Sequence, residues 1–142
     1  VVDAVTPEGA APVAPLLDGL RGIERVVIIS DLLGDADAML QRGASLMARG
    51  VEVIVVHLVA RAELQPGVER AVAVDPEDPT LRRPLAKGAQ RAYADAFAAF
   101  RTTMRNRWLA TGARYVEILD DQMPSDAVRA LVRAASGSGA VA

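Results

Sequence analysis

Two short β-branched runs set the tightest limit on what this chain can fold into. Arg25–Ser30 (RVVIIS) and Val51–Leu58 (VEVIVVHL) are continuous apolar segments, and runs of this kind suit strands of a parallel sheet that are covered on both faces. Between them Ala36, Met39, Leu40, Gly43, Leu46 and Met47 recur at helical spacing, with Asp35 placed as an N-cap and Gly50 as a C-terminal stop. Strand, helix, strand with connections this short predicts a right-handed βαβ unit.

The pattern then changes. From Ala60 to Pro84 the turn signals Pro66-Gly67, Asp75-Pro76 and Asp78-Pro79 surround a short alternating piece, Val68 to Val74, which predicts an excursion carrying a hairpin or an edge strand. Ala89, Ala92, Tyr93, Ala96, Phe97, Phe100, Met104 and Trp108 mark one face of a long helix that Gly112 ends, and this aromatic stripe reads as core. Tyr115–Leu119 predicts a third strand. Ser125 can cap a last helix whose buried face would be Val128, Leu131, Val132 and Ala135. Upstream, Pro12 and Pro15 interrupt a short helix suggested by Val13, Leu16, Leu17 and Leu20. The expectation is one α/β domain over residues 1–135 and a flexible tail over 136–142.

Composition removes several classes of function. A 142-residue chain that is 51% hydrophobic can build a core without a staple. Sixteen basic residues against eighteen acidic ones leave no basic stripe for nucleic acid or an anionic membrane. With no cysteine there is no disulfide, thiolate nucleophile or Cys-ligated metal. The longest apolar runs fall far short of the roughly 20 residues of a membrane helix. Val1 stands where a Met would be expected, which reads as a fragment or processed product whose full-length form could carry an anchor upstream.

In parallel sheets ligands gather beyond the carboxyl ends of the strands, and three acidic sites fall on that rim: Asp31, the pair Asp35 and Asp37, and the pair Asp120 and Asp121. Strands about 4.8 Å apart would hold Asp120 about 10 Å from Asp31, too far to share one Mg²⁺ easily. Asp120 and Asp121 therefore read as turn carboxylates, and Asp35 and Asp37 as cap and helix-dipole partners. Asp31 keeps two readings open, a strand-end carboxylate receiving backbone N–H bonds or a functional ligand, with Ser30 bonding locally beside it. The turn also resembles the opening of calcineurin-like metallophosphoesterases, but Leu33 stands where their metal-binding histidine belongs. His57, the sole histidine, lies inside a strand and reads as a hydrogen-bonded core residue. Neither a Gly-x-Ser-x-Gly elbow nor a phosphate-cradling Gly-x-x-x-x-Gly-Lys loop occurs.

Arg25–Leu33 followed by Arg49–Leu58 resembles a bacterial family known as domain of unknown function fifty-eight, whose members look like von Willebrand factor A domains. The similarity continues through Ala62–Leu64, Val74–Pro76, Arg91–Tyr93 and Gly112–Val116, in order, and spans roughly Thr6 to Leu131. It implies a Rossmann-like, mainly parallel sheet flanked by helices. It also implies a metal-ion-dependent adhesion site, in which an ion such as Mg²⁺ or Mn²⁺ is completed by an acidic group of a partner protein. Asp31 matches the last ligand of such a site and Thr6 the middle one. The first motif, Asp-x-Ser-x-Ser, has no match, since the stretch from Val2 to Thr6 has an Asp but neither serine, so the motif either lies upstream of this fragment or is degenerate, and the expectation is a site and sheet incomplete in this chain. A truncated sheet would expose the edge of Arg25–Ser30 and invite a homodimer. The family occurs with MoxR-type AAA+ ATPases, so the resemblance implies such an ATPase or its client as protein partner and a cytoplasmic setting. The expectation is thus a protein-interaction module rather than an enzyme; the alternatives are a metal-dependent phosphoesterase or other hydrolase using Asp31 and Asp35, and a purely structural domain.

Overall fold

The protein is described by a computed structural model over residues 12–65, 72–74, 82–84 and 88–136. Helix α1 (Ala14–Asp18) precedes strand β1 (Arg25–Ser30), helix α2 (Ala36–Ala48), strand β2 (Glu52–Val59) and the single turn α3 (Arg61–Leu64). The short strands β3 (Val72–Val74) and β4 (Arg82–Pro84) pair antiparallel, as the turn-rich stretch predicted. Helix α4 (Ala89–Ala110), strand β5 (Arg114–Leu119) and helix α5 (Pro124–Ser136) complete the chain. The main sheet has three strands in the order β1-β2-β5, all parallel, and it is flanked by helices, an arrangement compatible with a Rossmann-like fold.

The β1-to-β2 crossover is fixed by its ends. Gly50 at φ +83° lets α2 stop in a left-handed cap: its N–H meets the Met47 carbonyl at 2.9 Å, and the next N–H, of Val51, meets the Leu46 carbonyl at 3.1 Å. Leu46 and Val51 are both buried, so the cap carries the apolar contact that usually accompanies it.

Register partners in a parallel pair share a face. Val26, Ile28, Val53, Val55, His57 and Tyr115 therefore line one side of the sheet, and α1, α2 and α4 cover it with Leu17, Met39, Leu46, Met104 and Trp108. Each fully buried aliphatic side chain here contributes about 1.5–3 kcal/mol. Helix α4 meets α2 through the Trp108 ring. A Cβ built on Gly43 would lie 2.5 Å from the Trp108 ring, whose side chain is wholly buried. Gly43 is thus present for the room it leaves.

The other face is covered unevenly. Helix α5 lies across β5 and reaches β2, and Arg114 of β5 donates to the Ala134 carbonyl. Ile54 and Val56 of β2 are buried there, but Val27 and Ile29 of β1 are 42% and 60% exposed. The expectation that both strands are covered on both faces therefore holds for most of β2 and fails for β1, because nothing among the described residues packs over its second side. Three further expectations need correction. Tyr93, read as part of the aromatic core stripe, is 46% exposed, and Ala92 and Ala96 beside it are exposed too, so only the C-terminal part of that stripe, from Phe97 onward, enters the core. Ser125 lies inside α5, which starts at Pro124, so it does not cap that helix. Val128 and Val132 are exposed rather than buried, because the covered side of α5 is made by Ala127, Ala130, Leu131, Ala134 and Ala135, all half-buried.

Gly43→Ala should destabilise the fold by about 1–2 kcal/mol, the clash with Trp108 outweighing the gain in helix propensity. Gly34→Ala, whose Cβ would meet nothing within 4 Å, is the control and should be close to neutral in urea denaturation.

Candidate functional site

Loops after β1, β2 and β5 converge on the carboxyl rim of the sheet. The turn after β1 is built from its own side chains: Ser30 Oγ accepts the Leu32 N–H at 3.0 Å and Asp31 Oδ1 accepts the Leu33 N–H at 3.1 Å. Leu32 between them adopts φ +60°, a conformation that costs a non-glycine residue about 1–2 kcal/mol, and full burial of its side chain offsets it. Asp31 is exposed and, among the described residues, has no arginine within salt-bridge distance.

The remaining rim carboxylates have structural partners. Asp35 precedes α2 but its side chain does not cap that helix; Oδ2 instead accepts the Ala14 N–H at 3.3 Å and ties α1 to the rim. This corrects the N-cap assignment in chemistry, though not in position. Asp37 pairs with Arg107 of α4 at 2.6 Å. Asp120 accepts the Arg61 N–H at 2.9 Å, and Asp121 holds the Arg61 guanidinium at 2.7 and 3.2 Å, which lowers the Asp121 pKa. These two residues fasten α3 to the end of β5, as turn carboxylates should.

Since β2 lies between β1 and β5, Asp31 and Asp120 stand on opposite outer strands. Among the described residues no three His, Asp or Glu side chains gather where one ion could be held. Thr6 lies outside the described residues. A shallow groove of about 420 Å³ opens between the β1–α2 turn and α4, with Leu33, Asp35, Asp37, Phe100, Met104 and Arg107 among its walls.

Beneath that rim lies a polar cluster that the sequence reading reached only through His57. This residue is fully buried, and its Nδ1 hydrogen-bonds the Tyr115 hydroxyl. Phe100 and Tyr115 meet its ring edge-on, with centroids 6.2 and 5.9 Å away. Glu117, level with His57 on β5, is gripped by Arg101 of α4, with Nε to Oε2 at 3.0 Å. Burial is the main cause that lowers the His57 pKa, and the Arg101 charge adds to it, while Glu117 and the Asp31 backbone and charge oppose the shift. Burial, then Glu117, pushes the Tyr115 hydroxyl up to about 12, partly offset by Arg101. His57 is therefore a buried core residue whose neutral form is favoured.

The surface that sequence reasoning missed is the flank of β1. Val27, Ile29 and Leu58 are exposed on the sheet face beside α5, and Val128 and Val132 face solvent on that helix. No alternation in RVVIIS marks this, because both faces of the strand are apolar. Comparison with family models, curated proteins and solved structures finds no match to this chain. No helix among the described residues is long and apolar enough to cross a membrane.

A histidine with a lowered folded-state pKa binds its proton more readily when unfolded, so its contribution to stability is complete above about pH 6.5 and falls as the pH drops below it. His57→Gln, which keeps a partner for Tyr115, should flatten this dependence. Denaturation midpoints at about pH 7.5 and about pH 5.5 should fall more in the wild type than in the variant. Equal falls would place the pH sensitivity elsewhere.

Proposed function

We propose that this chain is a protein-interaction module of von Willebrand factor A type that works with a MoxR-type AAA+ ATPase or its client. The observation that carries this reading is the open flank of the sheet, where Val27, Ile29 and Leu58 lie bare beside the apolar side of α5. An exposed apolar surface on a β-rich edge favours contact with another protein. The βαβ order and the resemblance of the segments from Arg25 to Val116 to the family support the family side of this reading. The chemistry of the described residues favours assembly over turnover: the histidine is buried, and the rim carboxylates of Asp35, Asp37, Asp120 and Asp121 are engaged in holding loops and helices.

The metal-dependent form of this reading gives Asp31, together with Thr6, a Mg²⁺ or Mn²⁺ ion. Asp31 is exposed on the rim without a cationic neighbour among the described residues, which suits a ligand. The described residues alone do not surround it with a group of three acidic or histidine ligands.

Binding of a purified MoxR-type ATPase to the full chain, measured by interferometry with and without Mn²⁺, tests both forms. Ile29→Lys and Val132→Asp should each weaken capture by roughly tenfold, about 1.4 kcal/mol. A Mn²⁺ dependence that disappears in Asp31→Ala supports the ion-dependent form. Absence of capture under every condition sinks the ATPase reading.

A further inference from the structure

The hydrogen-bonding phase of β1 can be read from one contact. The Glu52 N–H donates to the Glu24 carbonyl at 2.8 Å, so Glu24, Val26, Ile28 and Ser30 turn their backbone groups toward β2. Arg25, Val27 and Ile29 turn theirs away, to an edge that no strand occupies among the described residues. The usual protections of an edge are missing along this stretch, which has no proline and no charge between Arg25 and Asp31.

We infer that two copies of this chain pair through β1, antiparallel, about a two-fold axis at Ile28. Opposed residues must both point their backbone groups outward, and they must share a face, so only registers that set Arg25, Val27, Ile29 or Asp31 against one another are allowed. Centring the axis on Val27 sets Arg25 against Ile29. Centring it on Ile29 sets Asp31 against Val27. Centring it on Ile28 sets Val27 against Ile29 and Arg25 against Asp31 of the second copy, so apolar meets apolar and cation meets anion at both ends.

That match is a property of one strand facing itself. Arg25 and Asp31 are equally spaced from Ile28, which is what an isologous contact requires. Arg25 already pairs with Glu52, but Glu52 is also held by Arg114 at 3.0 Å, so Arg25 can be shared with the second copy without stranding that carboxylate. Asp31, exposed and without an arginine of its own chain in reach among the described residues, gains a partner. The product is one continuous sheet spanning both copies, its two bare flanks joined into a single apolar floor between the two α5 helices.

The inference rests on reading the β1 flank as an interaction surface, and it is tested by sedimentation equilibrium of the full chain. The wild type should associate reversibly to a dimer. Asp31→Arg should weaken the dimer roughly tenfold or more, because symmetry counts each like-charge clash twice, and Arg25→Asp combined with Asp31→Arg should restore it to within about threefold. Val27→Pro removes an outward-facing N–H and leaves the ladder to β2 intact, so it should abolish association while circular dichroism stays native. Val132→Asp, away from the edge, should leave the dimer unchanged. A wild type that stays monomeric at every concentration overturns the inference, as does a dimer indifferent to both Val27→Pro and Asp31→Arg. A monomer that still binds the ATPase would leave the interaction reading standing, and one that does not would remove both.

Discussion

The contact of the Trp108 ring with the bare backbone of Gly43 governs the rest of the molecule. It brings α2 and α4 together over one face of the sheet, and that face becomes the core, holding Val53 and Val55 with no exposure. Two helices committed to one side leave α5 alone to cover the other. Because α5 follows β5 directly, it settles over β5 and β2, and β1 is left uncovered. The exposed valine and isoleucine of β1 thus follow from where the glycine lets the tryptophan sit.

The buried polar cluster plays a different part. His57, Tyr115, Glu117 and Arg101 connect the central strand, the last strand and α4 through directional bonds, where the surrounding apolar packing only requires volume to be filled. Such a network selects one arrangement of the elements to the extent that its members are satisfied, and here His57 Nε2 has no hydrogen-bond partner among the described residues. Here the Arg101–Glu117 pair links α4 to β5. The rim above it uses the same device in weaker form, with Arg61 joined to both aspartates after β5.

Much of this could be read from the sequence, where local physics and global fold agree. The strands beginning at Arg25, Val51 and Tyr115 and the helix ended by Gly50 emerge within a residue or so of their observed limits, since β-branched runs and a left-handed glycine cap act locally. The hydrogen-bonded settings of Asp120 and Asp121 in the turn after β5 and of His57 in the core were legible as well. What escaped depended on the far side of the sheet. A fully apolar strand looks the same whether a helix covers its second face or not, so the bare flank at Val27 and Ile29 left no mark in the pattern. The burial assigned to Val128 and Val132 failed because α5 turns the side carrying Ala127, Ala130, Leu131 and Ala134 inward instead. Asp35 occupied the capping position but found a better-placed donor in the Ala14 amide, which only the fold of α1 brings there.

The order of the strands also dictates an order of assembly. Arg25 and Glu52, neighbours across the first strand pair, are 27 residues apart, whereas His57 and Tyr115 are separated by 58. Closing the shorter loop loses less chain entropy, so β1, α2 and β2 can associate while the rest of the chain is still emerging from the ribosome. In that interval the most apolar strand of the protein has a free edge, and Gly43 faces an empty slot. Synthesis of α4 delivers Trp108 into it near the end of the helix, so the core is sealed by one of the later side chains to be made, and any pause before that point exposes the nascent sheet to whatever protein is nearest.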